Sequence, residues 1–487
     1  MVTKPRRPER YGYTVNQRAV PPRFAALVAD TAELAERFTK ANFRLYLVGG
    51  SVRDTLAPRP GASVEDPFDL DFTTDARPDD IEKILSGWAD DVWTQGKRFG
   101  TIGAHAKGRT YEITTHRGEV YTPESRKPEV TFGDTIEVDL SRRDFTVNAM
   151  ALSFPDLTLI DPFDGLGDLT SKRLRTPLDP NISFADDPLR MLRAARFLAG
   201  YELVPDDALR QAVKEGHGRL QIVSAERIRD ELDKIMVLPV PSLALWFAVE
   251  TGLATEFLPE LPGLRLEQDP IHRHKDVLTH TMAVVDKTSP DRLLRIAALL
   301  HDVGKPRTRA IGENGVSFHH HEVVGARMAK KRLSELRYPT EEIEIIVRLV
   351  ELHLRFHTYQ MGWTDKAVRR YVRDAGPLLG RLNELTRCDC TTRNENKARA
   401  LARRMDELEE RIVELREKEE LDSLRPDLNG TQVMALLGVG PSRAVGNALD
   451  FLMELRLEEG PLGEEEASRR LLEWWQAGGT PVVISND

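Results

Sequence analysis

Leu47-Val-Gly-Gly-Ser-Val-Arg-Asp-Thr55 reads as the end of a strand, a tight glycine turn and the start of a helix. Gly49 and Gly50 let backbone N–H groups come close to a ligand, and the new helix aims its positive end there, as a phosphate site requires. An ordinary strand-to-helix connection is the commoner use of a lone Gly-Gly, and no Gly-Lys-Ser/Thr follows to make a P-loop. An amphipathic helix over Ala25–Lys40 leads into the strand Leu45–Val48. Strand-like runs follow at Phe68–Thr73, Thr101–His105 and Thr110–Thr115, with the alternation of a half-covered sheet. Asp69-Leu-Asp71 lies inside the first of these runs. Period-two geometry puts both carboxylates on one face, where like charges are unfavourable unless cations neutralise them. A paired magnesium site for phosphoryl transfer does that, whereas on a solvent face the pair is bland. Glu112, in another strand, offers a third carboxylate. Asp75, just past the strand, reads as a turn or cap residue.

Beyond Asp161 the strands are expected to stop, and Asp187–Phe257 reads as consecutive helices broken by Pro. Pro259–Asp269 reads as a linker. A helical, histidine-bearing segment then runs from Ile271 to about Asn394, followed by a charged helix, Lys397–Glu420, with a solvated or coiled face, and a small helical unit after Pro426. The class is therefore α+β, and 487 residues at roughly 150 per domain suggest about three domains. Hydrophobic residues are 40% and charged ones 30%, enough for real cores. No apolar run approaches the roughly 18–20 residues of a membrane span, and Tyr11–Pro22 is too polar for a signal peptide. Cys388 and Cys390 exclude a disulfide scaffold and suit a reducing cytoplasm. The net charge of −9 decides little, because basic side chains gathered on one face still bind nucleic acid.

The ordered set Leu-Val-Gly-Gly-x-Val-Arg-Asp, Asp-x-Asp and Tyr-Glu-x-Thr-Thr resembles the nucleotidyltransferase head of bacterial class II tRNA CCA-adding enzymes and related poly(A) polymerases. The resemblance continues through Arg142-Arg-Asp-Phe-Thr-Val-Asn-Ala149, Asp161–Asp168, Asp187–Phe197 and Glu226-Arg227. It implies addition of CCA to tRNA from CTP and ATP. It makes Asp69 and Asp71 the magnesium ligands, with Glu112 the third carboxylate. Gly49, Gly50, Ser51 and Arg53 become the triphosphate cradle. Arg142, Arg143, Asp144 and Asn148 become contacts to the nucleotide's ribose and phosphates. In-line attack by a 3′-hydroxyl needs metal at the attacking and leaving oxygens, and arginines that clamp phosphate bidentately. For Arg143 alone, a surface salt bridge is the competing reading.

Asp187 and Arg190, three apart at a helix start, are expected to share a face. A carboxylate accepting from an exocyclic amine, beside a guanidinium donating to ring acceptors, suits cytosine and adenine and mismatches uracil and guanine. The bland alternative is an i,i+3 helix salt bridge. The family's usual Glu-Asp-x-x-Arg begins here with Asp186, which leaves that position's role open. Arg193 and Arg196 continue a basic stripe, facing RNA phosphates or solvent. The polar, Pro-punctuated segment between Thr115 and Val130 resembles the family's flexible loop.

His280, His301-Asp302, His321, His353 and Asp389 come from several helical segments, and such a set suits a borderline divalent metal in a bundle core. The adjacent His-Asp pair and the order of the rest resemble the HD phosphohydrolase superfamily. That implies a metal site, with a divalent transition metal as the expected ion, acting on phosphate esters or 2′,3′-cyclic phosphates. His319 and His357 read as surface or hydrogen-bonded histidines outside this set. Leu436–Gly446 resembles a helix-hairpin-helix, with a plain capped helix turn as the equal alternative.

The expected organisation is a flexible arm over 1–22, a mixed-sheet nucleotidyltransferase head over 23–165 and an all-α neck and body over 166–260 for base recognition and RNA binding. An α-helical HD domain follows over 270–395, then a helical tRNA-binding region over 396–487. The runner-up activity is a poly(A) polymerase. From another class comes an HD-type nucleotide or cyclic-phosphate phosphohydrolase with a front-end binding module.

Overall fold

A computed structural model describes residues 22–58, 70–120, 129–132, 135–266, 276–312, 315–358, 363–391, 395–419 and 424–479. It divides into two compact units, Met1–Pro262 and Gly263–Asp487. In the first unit the helix Pro22–Lys40 buries Leu27, Thr31, Leu34 and Phe38, the three- and four-residue spacing of one helical face. The strands, in chain order, are β1 (Leu45–Val48), β2 (Leu70–Thr74), β3 (Asp91–Trp93), β4 (Thr101–Ala106) and β5 (Arg109–Thr115). The hairpin β6 (Arg117–Val120) and β7 (Glu129–Phe132) comes next, then β8 (Ala151–Phe154) and β9 (Leu159–Ile160). Seven of them form one sheet in the order β3-β4-β5-β2-β1-β8-β9, and β6 pairs with β7 apart from it. Within the sheet β2 and β5 run parallel, while the other neighbours are antiparallel.

Three of these strands, β3, β8 and β9, were not anticipated from the sequence; they have three, four and two residues, too few to show a period. The loop expected between Thr115 and Val130 is partly hairpin, with its tip outside the described residues. The arm over 1–22 also lies outside them, apart from Pro22.

The helical body carries Pro180–Asp186, Leu189–Tyr201, Asp207–Gly216, Ala225–Met236 and Ser242–Glu250. Leu189–Tyr201 is buried nearly all round, from Met191 and Leu192 to Ala195 and Phe197, so it is the central helix of this layer. The expectation that strands stop after Asp161 needs two corrections. Arg173–Leu174 pairs in parallel with Val204–Pro205, and a hairpin in the second unit joins Arg309–Gly312 to Gly315–Phe318.

Around that hairpin the second unit is helical: Val277–Lys287, Arg292–Leu300, His321–Glu335, Thr340–Leu352, Asp365–Ala375 and Leu379–Asp389. The charged helix Glu395–Glu419 buries one stripe, Met405, Leu408, Ile412 and Leu415, and leaves its other faces polar. Three last helices, Gly430–Leu437, Arg443–Glu459 and Glu464–Gln476, close over Val433, Ala448, Leu452, Ala467 and Leu471. Arg369, 4% exposed, donates to both oxygens of Glu419 at 2.8 and 2.7 Å and to the Leu457 carbonyl at 3.2 Å. Among the described residues no helix is long and apolar enough to cross a membrane.

Candidate active site and candidate metal centre

Asp71 on β2 and Glu112 on β5 are register partners in the parallel pair. Their neighbours Leu70, Phe72, Tyr111 and Ile113 are buried on the opposite face, which leaves the two carboxylates side by side on the open face. Asp69 lies outside the described residues. Gly49 adopts φ 69°, ψ −133° at the turn after β1. A β-carbon there would come 2.9 Å from Arg143 Nη1 and 3.7 Å from Asp71 Oδ2, so only glycine lets the backbone pass under the arginine and the carboxylate. Gly50 and Ser51 open the short helix Gly50–Leu56. A cleft of about 360 Å³ brings together Asp71, Glu112, Arg142, Arg143, Asp144, Asp187 and Arg190.

Asp139, fully buried, holds the two cleft arginines by pairing with Arg142 at 2.9 Å and Arg143 at 3.2 Å. Burial pushes its carboxyl up, but the two guanidiniums outweigh burial and hold it down at about 2. So Arg143 makes a salt bridge, though to a buried partner under the cleft rather than on the surface. Asp139 was missed in the sequence, although its i,i+3 and i,i+4 spacing to Arg142 and Arg143 is a readable signal.

Asp187 is not on the helix with Arg190. It is an extended residue (φ −138°, ψ 100°) between two helices, its Oδ1 accepting from Leu189 N at 3.1 Å. Its ion pair is with Arg227 of the Glu226-Arg227 motif, at 2.8 Å, a partner that the sequence does not reveal. Arg190 donates instead to Ser183 Oγ at 2.8 Å and to the Arg142 carbonyl at 2.5 Å. The pair converges on the cleft by a turn, not by helical spacing.

Arg53 and Asn148 point elsewhere. Arg53, 6% exposed, pairs with Asp54 at 2.8 Å, donates to Asn148 Oδ1 and stacks 4.2 Å over the Tyr201 ring. Asn148 donates to Asp144 Oδ1 at 2.8 Å, and Arg193 Nε donates to Asp144 Oδ2, also at 2.8 Å. Burial opposes the charge on Asp144, yet Arg193 and the Asn148 hydrogen bond keep its carboxyl well below the usual range. Arg193 and Arg196 therefore form no open stripe: the first is paired with Asp144, the second with buried Glu231. Asp75 sits at the bend after β2, but its carboxylate accepts from the Arg44 backbone N–H and from Arg44 Nε, both at 2.8 Å, a long-range contact rather than a bond within its own turn.

In the second unit six predicted ligands come together. His280, His301 and Asp389 form one triad and Asp302, His321 and His353 another. Asp302 Oδ2 lies 3.2 Å from His301 Nε2 and 3.6 Å from His280 Nε2, while Oδ1 lies 3.4 Å from His321 Nε2. His301, His321 and His353 donate Nδ1–H to the carbonyls of Ala298, Phe318 and Val350 at 2.6–2.7 Å, and His280 Nδ1 bonds Thr391 Oγ1 at 2.7 Å. Those bonds turn every Nε2 lone pair inward, the usual preparation for a metal. Burial opposes a charge on His301, but Asp302 and Asp389 push it up to about 10, while burial and the His301 charge push His353 down to about 3. Among the described residues, Asp302 Oδ1, fully buried, meets no hydrogen-bond donor. The donor set thus calls for positive charge, and mixed imidazole and carboxylate ligands fit a divalent ion. Lys305 reaches in to Asp302 Oδ2 at 2.7 Å.

Residues 45–175 match the Poly A polymerase head domain, 204–264 the probable RNA and SrmB-binding site of polymerase A, and 276–418 the HD domain. Over 444 residues the chain is 32% identical to an A-adding tRNA nucleotidyltransferase of Deinococcus radiodurans, covering 88% of this chain and 95% of that one. The chain belongs to the tRNA nucleotidyltransferase and poly(A) polymerase family. A CCA-adding enzyme of Lactobacillus gasseri is 37% identical over 235 residues, 48% of this chain and 55% of that relative. The fold is similar to that of the Bacillus stearothermophilus CCA-adding enzyme in complex with CTP (TM-score 0.65, 22% identity, 94% and 99% of the two chains). As a member of this nucleotidyltransferase family the chain is an enzyme whose chemistry generally uses divalent metal.

Proposed function

We propose that the chain extends the 3′ end of tRNA with CCA, using CTP and ATP and releasing pyrophosphate. The observation that carries this reading is the Asp71–Glu112 register pair opening into one cleft with Arg142, Arg143, Asp187 and Arg190. Hard carboxylate oxygens fit Mg²⁺, so Asp71, Glu112 and, from the sequence, Asp69 would hold it. Bound there, Mg²⁺ would supply Lewis-acid chemistry to the attacking hydroxyl and the departing pyrophosphate. Arg142 and Arg143, fixed by Asp139, hold the triphosphate oxygens; Gly49 lets the backbone approach beside them. Asp187 accepts from the amine of cytosine or adenine while Arg190 donates to the ring. Asp144 contacts the ribose, with Arg53 and Asn148 holding it in place from behind rather than touching nucleotide. The division of labour in this reading gives nucleotide addition to the head over 23–165, base reading and RNA contact to 166–260 and tRNA contact to 396–487. Two free cysteines and a tRNA substrate fit the cytoplasm.

The HD centre over 270–395 would hold a divalent transition metal on His280, His301, Asp302, His321, His353 and Asp389 and hydrolyse phosphate esters or 2′,3′-cyclic phosphates. One observation favours a second reading of the head: the relative matched over nearly its whole length is named as A-adding. The test is tRNA ending before, within and just short of its final A, incubated with each NTP separately. CCA addition requires CTP use on the first two ends and ATP use on the last. Refusal of CTP on every end leaves the A-adding reading, and long A ladders on unrelated RNA leave the poly(A) polymerase.

A further inference from the structure

We infer that Trp93 is a stacking platform for a base at the 3′ end of the RNA being extended, an inference that rests on the nucleotide-addition reading above. Trp93, Gly103 and Glu112 are successive register partners across β3, β4 and β5, and Glu112 is in turn the partner of Asp71. Register partners project to one side of a sheet, so the indole and both carboxylates share a face. That face is the open, polar one: His105 and Glu112 are exposed, and Thr101, Thr110 and Thr114 half-buried. Gly103 is buried on this open face, and the indole is the reason. A β-carbon at Gly103 would lie 2.1 Å from Nε1 and Cε2 of Trp93, so the ring lies directly over the glycine. Any other residue there would lift it off the sheet.

The position decides the ligand. At roughly 4.8 Å between strands, the ring over Gly103 is about one strand spacing from Glu112 and about two from Asp71. Gly49 and Arg143 lie beside Asp71, and the arginine cleft does not include Trp93. In-line transfer sets the attacking and leaving oxygens on opposite sides of the phosphorus. With the triphosphate on the arginine side, the attacking strand comes from the side of Glu112 where the indole stands. Bases stacked at about 3.4 Å intervals put the last or penultimate base within reach of the ring. Trp93 stays half-exposed, and an indole takes any base by its π-face. The site would therefore add affinity for the RNA end without choosing among sequences.

The experiment compares the full-length wild type with Trp93→Ala and Trp93→Phe. It measures tRNA binding by anisotropy, steady-state addition with tRNA or NTP varied, and melting temperature. Trp93→Ala should weaken tRNA binding and raise KM for tRNA about tenfold, with KM for NTP unchanged and Phe restoring most of the loss. An acceptor abasic at its last or penultimate nucleotide should penalise wild type and not the Ala variant. Unchanged tRNA affinity with a lowered Tm would make Trp93 and Gly103 a packing pair only and overturn the platform. So would an equal abasic penalty in both proteins. Trp93-dependent tRNA binding by a wild type that adds no nucleotide would instead overturn the addition reading and leave the platform standing.

Discussion

Arg227 donates to Asp187 Oδ2 at 2.8 Å across two helices of the body, which leaves Oδ1 with the Leu189 N–H on the chain side of the carboxylate. The carboxylate proposed to read the base is therefore oriented by a residue forty positions further along the chain. Asp187→Ala should relax discrimination among the four NTPs more than it weakens triphosphate binding. A mispaired buried group costs about 1–3 kcal/mol, so the wild-type preference for CTP and ATP should be at least about tenfold. Arg227→Ala should erode the same preference less, because the carboxylate remains but is no longer fixed. Single-turnover incorporation of each NTP measures both, and full discrimination in Asp187→Ala would place the reader elsewhere.

Asp71→Ala should abolish nucleotide addition while leaving the melting curve within about 0.5 kcal/mol of wild type, since the side chain lies on the open face and fills no core. Circular dichroism and a primer-extension assay on one preparation decide it. Near-normal turnover with magnesium present would remove Asp71 from the reaction.

Asp139 gives a pH prediction. Its carboxyl is held at about 2 when folded, against an ordinary value near 4, so its contribution of about 2 kcal/mol is complete above pH 4 and is lost as pH falls through 2. Asp139→Asn should destabilise the protein at pH 7 and flatten the acid limb of the stability curve between those values. It should also raise KM for NTP, because Arg142 and Arg143 lose their anchor. A variant with an unchanged acid limb would mean that the two arginines carry the site without Asp139.

Replacing His301 and Asp302 with Ala should strip bound transition metal and any phosphoesterase activity while sparing nucleotide addition. Metal content after purification in added nickel, cobalt or manganese and both activities on the same sample give the answer. Metal retained at wild-type level would discard the six-ligand centre.

The glycine turn, the Asp71 strand and the Glu112 strand were legible because each is a local pattern: apolar period, turn residues, a polar position between buried ones. The His-Asp centre was legible from residue order and resemblance, and all six side chains converge. What the sequence hid was pairing at a distance. Arg53 carries the charge expected of a phosphate ligand, yet its guanidinium is held by Asp54, Asn148 and Tyr201, partners up to 148 positions away. Arg193 and Arg196 read locally as a basic stripe, while their partners Asp144 and Glu231 lie 49 and 35 positions away. Asp187 stands off the helix because Pro188 follows it, and the residue before Pro favours extended backbone, a local signal that the i,i+3 spacing to Arg190 masks.

Arg369 makes the last three helices hard to detach. Its guanidinium is shared between Glu419 at the end of the charged helix and the carbonyl of Leu457, and Gly460 passes so close that a β-carbon would lie 2.8 Å from Nη2. A chain cut after residue 419 would keep the carboxylate but open a sealed cation to water and leave its remaining donors without the carbonyl. Shortening this protein from its C-terminus is thus an operation on the histidine-bearing bundle as well, because the helix that ends in Ala375 has one side chain serving both.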